Sequence, residues 1–487
     1  MPTFFIEQFG CRATQADAAA LEHQLLQRGY SLASRQLADI VVINTCTVTA
    51  AADAQARDAI RKITAQNTSA RLVVTGCYAQ RAPQELAVLP GVAWVVGNSH
   101  KPELPSIIEN ISAPSSAKDF VSAESLRTSI SPASFPASIL TGEFEPKPLL
   151  SAPVLGGEGN HTRPTLKIQD GCNSRCSYCV IPLVRGKSRS LPAATVVEQI
   201  KQLTASGVQE IVLSGISLGT YGQDLRPRSS FEDLLRCILG QTSVARLRVS
   251  SIEPMDVTRD LIDFFAANDR MAEHFHMPLQ SGSNRILGAM HRWYRAEHYA
   301  RRVELIRERL PHAAMGADVI AGFPGETDKE HAETLAFIGS LPLTYLHVFS
   351  YSSRPGTGAA KLSGHVPPAV IRKRARELRA LGEKKASAFC REQLARELVV
   401  LTLRSGNDGS DPSGGRRAHA DAVPGTPEPA GDYTPALSSN YLRAKVRGSW
   451  PSNQWLNVRP ISSEGAGVLA EATSSGHRAG PSDSFVQ

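Results

Sequence analysis

The sequence predicts an α/β protein in three parts: an amino-terminal parallel-sheet domain, a central run of β-α units, and a small carboxyl-terminal β domain. Three observations carry this reading. Apolar runs ending at Cys11, Cys46 and Cys77 recur 35 and 31 residues apart, each followed by an alanine-rich stretch with helical spacing. Further on, six short apolar runs alternate with helical segments, and the last section returns to short strands broken by glycine and proline. A chain of 487 residues also exceeds one core, since domains average about 150 residues.

Taken in order, "TFFIEQFGC", "DIVVINTC" and "RLVVTGC" read as strands, and "TQADAAALEHQLLQRGY" and "TVTAAADAQARDAIRKIT" as helices. Strand-helix repeats give crossovers and a parallel sheet. The carboxyl ends of such strands share one edge, where ligands bind. Cys11, Cys46 and Cys77 are therefore expected to converge within a first domain, 1–109. Residues 110–160 are rich in Ser, Ala and Pro and read as a linker. In a central domain, 161–395, "PTLKIQ", "EIVLSG", "LRVSSI", "HFHMPL", "MGADVIAGF" and "YLHVFSY" are the candidate strands of a barrel or open sheet. A basic helical stretch closes that domain. The last domain, 396–463, holds "LVVLTLR", "YLRAKV" and "WLNVRPI", with a flexible Gly/Ser/Asp/Pro insertion at 405–432, and 464–487 reads as a disordered tail.

Bulk composition narrows the function classes. Hydrophobic content of 42% and charged content of 20% are those of a globular protein. A net charge of +7, with a pI near 9.0, favours a polyanionic partner. The first residues lack the basic-then-apolar order of a signal peptide, and no apolar run nears the roughly 18 residues of a membrane span. A cytoplasmic protein without a membrane partner is the expectation. Eight cysteines in such a chain point to metal ligation or catalysis more than to a disulfide framework.

The densest chemical signal is "DGCNSRCSYCVIPLVRGKSR", which spaces Cys172, Cys176 and Cys179 as CxxxCxxC directly after an apolar strand. Zinc sites pair CxxC with a second CxxC or with histidines, and no matching pair lies nearby. Thiolates are also the usual iron-sulfur ligands, four for a 4Fe-4S cluster. Three would leave one iron open to a substrate or cofactor. Cys11, Cys46 and Cys77 form no short motif, and each alone is compatible with a packed core cysteine. Their shared placement at strand ends, beside helix amino termini, favours a second anionic cluster.

The CxxxCxxC loop resembles that of the radical S-adenosylmethionine enzymes. The two-trio layout, with "FGCRATQAD", "VVINTCTVT", "VVTGCYAQ", "EIVLSGISLGTYGQD", "HMPLQSGSNRILGAMHR" and "DVIAGFPGETDKE", resembles the methylthiotransferase family. The ending "YLHVFSYSSRPGTGAAKL" is most similar to the branch acting on threonylcarbamoyladenosine beside the tRNA anticodon. This resemblance implies a partial TIM barrel, a TRAM-like RNA-binding β-barrel at the carboxyl end, two 4Fe-4S clusters and S-adenosylmethionine. It further implies that one S-adenosylmethionine methylates sulfur held at the first trio. A second would be cleaved at Cys172, Cys176 and Cys179 to a radical that acts on carbon 2 of the adenine. Tyr178 would lie near the cofactor's adenine. The implied partners are tRNA, an electron donor such as flavodoxin or ferredoxin, and a sulfur donor of unknown identity. Related branches modify isopentenyladenosine in tRNA or an aspartate of a ribosomal protein, and a non-catalytic RNA-binding iron-sulfur protein is the alternative of another class. Two departures stand out: Thr14 replaces the family's usual Asn, and the insertion before "ALSSNYLRAKV" is unusual.

Glu253, Gln280 and Asp318 fall at predicted strand ends and are candidate cofactor contacts, with strand capping as the competing role. "VRGKSR", "IRKRAR" and the group Arg443, Lys445 and Arg447 are candidate phosphate contacts or solvated faces. Cys237 and Cys390 read as packing residues, and His276 and His347 as core or supporting groups.

Overall fold

The computed structural model describes residues 2–112, 137–144, 162–404 and 432–473. Most of the expected linker, the insertion apart from position 432, and the end of the expected tail lie outside these residues. The chain divides into two units. One comprises Met1–Val154 with Asp170–Ser174 and Cys179–Arg189, and the other the remainder.

In the first unit the strands are β1 (Thr3–Gln8), β2 (Ser31–Leu32), β3 (Ile40–Thr45), β4 (Arg71–Gly76), β5 (Val92–Gly97) and β6 (Ser138–Leu140). They form one all-parallel sheet in the order β2-β1-β3-β4-β5-β6. The crossovers are α1 (Arg12–Gln27), α2 (Ala50–Gln66), α3 (Cys77–Arg81), α4 (Pro83–Ala87) and α5 (Leu104–Ser112). β3 sits centrally, and every one of its residues, "IVVINT", is buried because apolar layers cover both faces. Ile43 contributes to one layer with Ile60 and Val74, and Val42 to the other with Leu21 and Leu25. α2 starts where Thr49 caps it, its Oγ1 accepting the Ala52 amide at 3.2 Å. β6 corrects the linker expectation: three residues of 110–160 pair in register with Trp94–Val96 as the sheet's edge strand.

Two short strands, β8 (Gln169–Asp170) and β9 (Arg189–Ser190), flank the cysteine loop and its following helix α6 (Ile181–Arg185). The second unit contains β7 (Thr165–Lys167), β10 (Glu210–Ser214), β11 (Arg246–Val249), β12 (His274–His276), β13 (Ala314–Ala321) and β14 (Tyr345–Ser350). β7, β10 and β11 form one parallel sheet and β12, β13 and β14 another. Parallel bridges Leu247–Met271 and Ser251–His276 join them into a six-stranded run, the expected partial barrel. Its helices are α7 (Ala193–Ala205), α8 (Phe231–Gln241), α9 (Arg259–Ala266), α10 (Asn284–Ala289), α11 (Ala296–Arg309), α12 (Asp328–Ser340) and α13 (Pro368–Glu392). All six strands named from the sequence are present.

The same unit ends in a closed barrel of β15 (Leu398–Thr402), β16 (Tyr433–Ser438), β17 (Arg443–Arg447), β18 (Trp455–Glu464) and β19 (Gly467–Ala472), ordered β15-β16-β17-β19-β18. β19 corrects the tail boundary, because a strand of that expected tail closes the barrel between β17 and β18. "ALSSNYLRAKV" spans the end of β16 and most of β17. Its turn is turned onto the β-α domain: the carbonyls of Ser438 and Ser439 each accept from the Arg248 guanidinium at 3.0 Å. Asn440 Nδ2 donates to the His312 carbonyl at 3.0 Å, and Tyr441 stacks on His274 with centroids 4.3 Å apart. Arg248 is fixed by Glu210, which also receives Arg163 and Arg246. Arg443, Lys445 and Arg447 face solvent, alternating with buried Ala444 and Val446, and Arg459 on β18 is exposed as well.

Candidate functional site

Cys11, Cys46 and Cys77 follow the carboxyl ends of β1, β3 and β4, three adjacent strands in register from Gln8–Asn44 to Thr45–Gly76. Two glycines in the left-handed region make the close approach possible. A Cβ on Gly10 (φ +103°) would meet Cys46 Cβ at 2.4 Å and Sγ at 2.8 Å, and one on Gly76 (φ +105°) would meet the Thr45 carbonyl oxygen at 2.3 Å. Burial, then the neighbouring Cys11 and Cys77, pushes the Cys46 thiol up to about 12. A thiol so placed becomes a thiolate when a cation takes the charge, which suits a metal ligand.

The polar surroundings hold the sulfurs without competing for them. Thr14 Oγ1 lies 3.3 Å from Cys11 Sγ, so the residue that departs from the family pattern supplies a hydroxyl to the first thiol. Asn98 Nδ2 donates to Cys77 Sγ at 3.4 Å and to the Val184 carbonyl at 2.8 Å. Asp17, on α1, accepts from Lys101 Nζ at 2.9 Å and from Arg185 Nη2 at 3.2 Å. Lys101 also reaches Asn44 Oδ1 at 3.1 Å, and Arg185 clasps both oxygens of Asp170 at 2.9 and 3.0 Å. This buried chain of charges fastens the segments bearing Cys11, Cys46 and Cys172 to one another. It also corrects the reading of "VRGKSR" as a phosphate-contacting run: Arg185 is buried, Arg189 lies over the Phe144 ring, and Lys187 is the exposed cation. "IRKRAR" divides in the same way, with Arg374 buried against Glu326 while Arg372, Lys373 and Arg376 face solvent.

The cysteine loop leaves β8 through Gly171 (φ +72°), whose Cβ would meet the Lys187 carbonyl at 2.0 Å. Cys172 Sγ accepts the Ser174 amide at 3.3 Å, and the Cys172 amide donates to Gly186 O at 3.1 Å. In the second unit, Cys176 Sγ accepts from Arg292 Nη1 at 3.3 Å, and Arg292 Nη2 pairs with Glu253. Burial works against the Arg292 charge, but Tyr178, Glu253 and neighbouring groups keep it firmly protonated. Burial and then Glu253 push the adjacent Asp256 up to about 6. Tyr178 packs against Ile286, Met290 and Phe323. Gln280 is buried in a left-handed conformation (φ +67°), its amide donating to Asp318 O at 2.7 Å, a strained geometry of the kind kept at ligand sites. Asp318 lies inside β13 and its Oδ1 is taken by His276 Nε2 at 2.9 Å and His347 Nδ1 at 3.2 Å. Sequence reading missed Arg292, Arg185, Lys101 and Asp17, whose roles depend on partners far along the chain. Cys390 is buried in the carboxyl-terminal core, as expected of a packing residue.

Thiols are donors that fit iron-sulfur clusters and are poor for hard cations. Residues 3–97 match the uncharacterized protein family UPF0004, and residues 166–338 the radical SAM superfamily. The chain is 38% identical over 400 residues to threonylcarbamoyladenosine tRNA methylthiotransferase MtaB of Aquifex aeolicus (strain VF5), spanning 82% of this chain and 92% of that one. It belongs to the radical SAM methylthiotransferase family. A second relative of this methylthiotransferase, MtaB of Bacillus subtilis (strain 168), is 35% identical over 82% of this chain and 85% of its own. A tRNA-2-methylthio-N(6)-dimethylallyladenosine synthase of Moorella thermoacetica is 30% identical over 85% of this chain and 90% of its own. Among solved structures, the radical S-adenosylmethionine methyltransferase TsrM of Kitasatospora setae shares the fold, with a TM-score of 0.52 at 17% identity over 74% of this chain and 77% of that one. Among the described residues, no helix of the methylthiotransferase is long and apolar enough to cross a membrane.

Proposed function

We propose that this methylthiotransferase inserts a methylthio group at carbon 2 of N6-threonylcarbamoyladenosine beside the anticodon of a cytoplasmic tRNA. The observation that carries the proposal is the pair of cysteine trios, each one ligand short of a full cluster, in a chain whose curated relatives include enzymes named for that nucleoside. Cys172, Cys176 and Cys179 would hold a 4Fe-4S cluster that binds S-adenosylmethionine, and Cys11, Cys46 and Cys77 a second. When bound, these groups supply a 5′-deoxyadenosyl radical and a sulfur to be transferred.

The chain's own residues do the placing. Arg292 places a positive charge beside Cys176 and holds Glu253 in a fixed orientation, where the carboxylate would serve as a cofactor contact. Tyr178 offers an aromatic face, and Gln280 a strained turn, for cofactor binding. The Arg185–Asp17–Lys101 chain keeps the first trio's segments in register. Exposed Arg372, Lys373 and Arg376 on α13, with Arg443, Lys445 and Arg447 on β17, provide phosphate contacts for RNA. A flavodoxin or ferredoxin would supply electrons.

The test is mass spectrometry of tRNA nucleosides from a deletion strain. Loss of methylthio-threonylcarbamoyladenosine supports the proposal. Loss of the methylthio-dimethylallyl nucleoside instead, or a changed ribosomal protein mass with tRNA intact, assigns another substrate. Undisturbed nucleosides and proteins would favour a non-catalytic iron-sulfur protein.

A further inference from the structure

β12, β13 and β14 place six residues on one face of the second unit's sheet. The register sets His276 beside Gly316, Gly316 beside Tyr345, and Asp318 beside His347. Side chains two residues apart share a face. His274, His276, Asp318, Tyr345 and His347 therefore gather over the bare backbone of Gly316.

Their atoms converge closely. His276 Nε2, Asp318 Oδ1 and His347 Nδ1 all lie within 4.8 Å of one another, with each imidazole within 3.2 Å of the same carboxylate oxygen. Ligand atoms bound at about 2.0–2.2 Å to one ion stand about 3 Å apart, so small adjustments would seat a cation. The two imidazoles stack with centroids 4.9 Å apart.

The support behind the ligands is that of a metal site. The other ring nitrogen of His276, Nδ1, meets Tyr345 Oη at 3.0 Å, and Tyr345 Oη continues to His274 Nε2 at 2.7 Å. Such a bond fixes the tautomer and orientation of a ligating imidazole. Tyr345 reaches that position because residue 316 is glycine: a Cβ there would lie 2.0 Å from Tyr345 Cζ. The His276 and His347 side chains are 7% and 12% exposed, but Asp318 retains 21%, so the cluster is reachable from its carboxylate side.

We infer that His276, Asp318 and His347 form a third metal centre, built without cysteine, for a divalent first-row cation such as Mn²⁺ or Zn²⁺. Two imidazoles and a carboxylate match the N/O preference of these ions, and three protein ligands leave positions for water or a substrate oxygen. The inference stands independently of the tRNA substrate.

The test uses enzyme whose cysteines are already loaded with iron and sulfide, titrated with Mn²⁺ while free ion is read by EPR. About one Mn²⁺ should bind per chain, and Zn²⁺ should displace it, as the stability order requires. Affinity should fall at least ~10-fold in Tyr345→Phe, where the supporting bond is lost, and further in His347→Gln. Asp318→Asn serves as the ligand variant if His347→Gln does not fold. No Mn²⁺ uptake by the loaded wild-type enzyme, or uptake undiminished in the ligand variants, would overturn the inference.

Discussion

Arg292 touches Cys176 and Glu253 at once, and single side chains of this kind decide what each sulfur can do. Replacing it by Met leaves Glu253 without its cation and Cys176 without its donor. S-adenosylmethionine cleavage should drop by ~10-fold or more, since one charge-assisted hydrogen bond is worth about 1.5–3 kcal/mol. Deoxyadenosine formation under reductant measures this, and cleavage at the wild-type rate would remove Arg292 from the site. Cys172→Ala should abolish that cleavage altogether, and product formed at the normal rate by that variant would sink the radical assignment. Cys46→Ser should instead lower iron from about eight to about four per chain while cleavage persists. The strand-end placement of Cys11, Cys46 and Cys77 was legible because the same apolar run precedes each. Arg292 and Lys101 were not, because their carboxylate partners lie 39 and 84 residues away, and Arg185 was read as a phosphate contact because its pairing with Asp17, 168 residues away, leaves no mark in the sequence. Only the folded chain brings those charges together.

At the scale of elements, strand ends and the glycines beside them set the first trio. Gly10→Ala forces a left-handed residue and a Cβ contact with Cys46 at 2.4 Å. A cost of about 1–3 kcal/mol is expected from the backbone alone, read as a lower Tm together with lower iron retention. A normal Tm with full iron would show that the turn tolerates a side chain. The strands announced by continuous β-branched runs, such as "IVVINT", could be read directly. β2 and β6 could not, because two or three residues give no period to recognise and owe their extended form to pairing with β1 and β5. β19 was hidden for a similar reason: "GVLAEA" carries little strand propensity, and its place is secured by β17 and β18 on either side.

Across the whole molecule, one buried carboxylate organises the arginines that help to attach the carboxyl-terminal barrel. Burial pushes the Glu210 carboxyl up, but Arg248, Arg163 and Arg246 together hold it down at about 2, against 4.5 when solvated. The folded value lies below the unfolded one, so its contribution is complete above about pH 4.5 and fades as pH falls toward 2. That contribution is of order 3 kcal/mol. Acid titration should therefore release the barrel between these values, seen as Trp455 fluorescence changing in step, because that indole lies 4.2 Å from Arg246. In Glu210→Gln the same transition should already be advanced at neutral pH. Insensitivity of Trp455 to both changes would deny Glu210 this role. The domain order was legible from the sequence, whereas the docking mode was not, since nothing in "SSNY" marks its carbonyls as the recognised groups. Arg248 grips main-chain oxygens that any amino acid supplies, while the Ser439 hydroxyl accepts the Glu273 amide at 3.1 Å, so the joint is held by the path of the chain and by one small side chain. A lineage can thereby remodel the solvent-facing side of its terminal barrel while inheriting the same attachment.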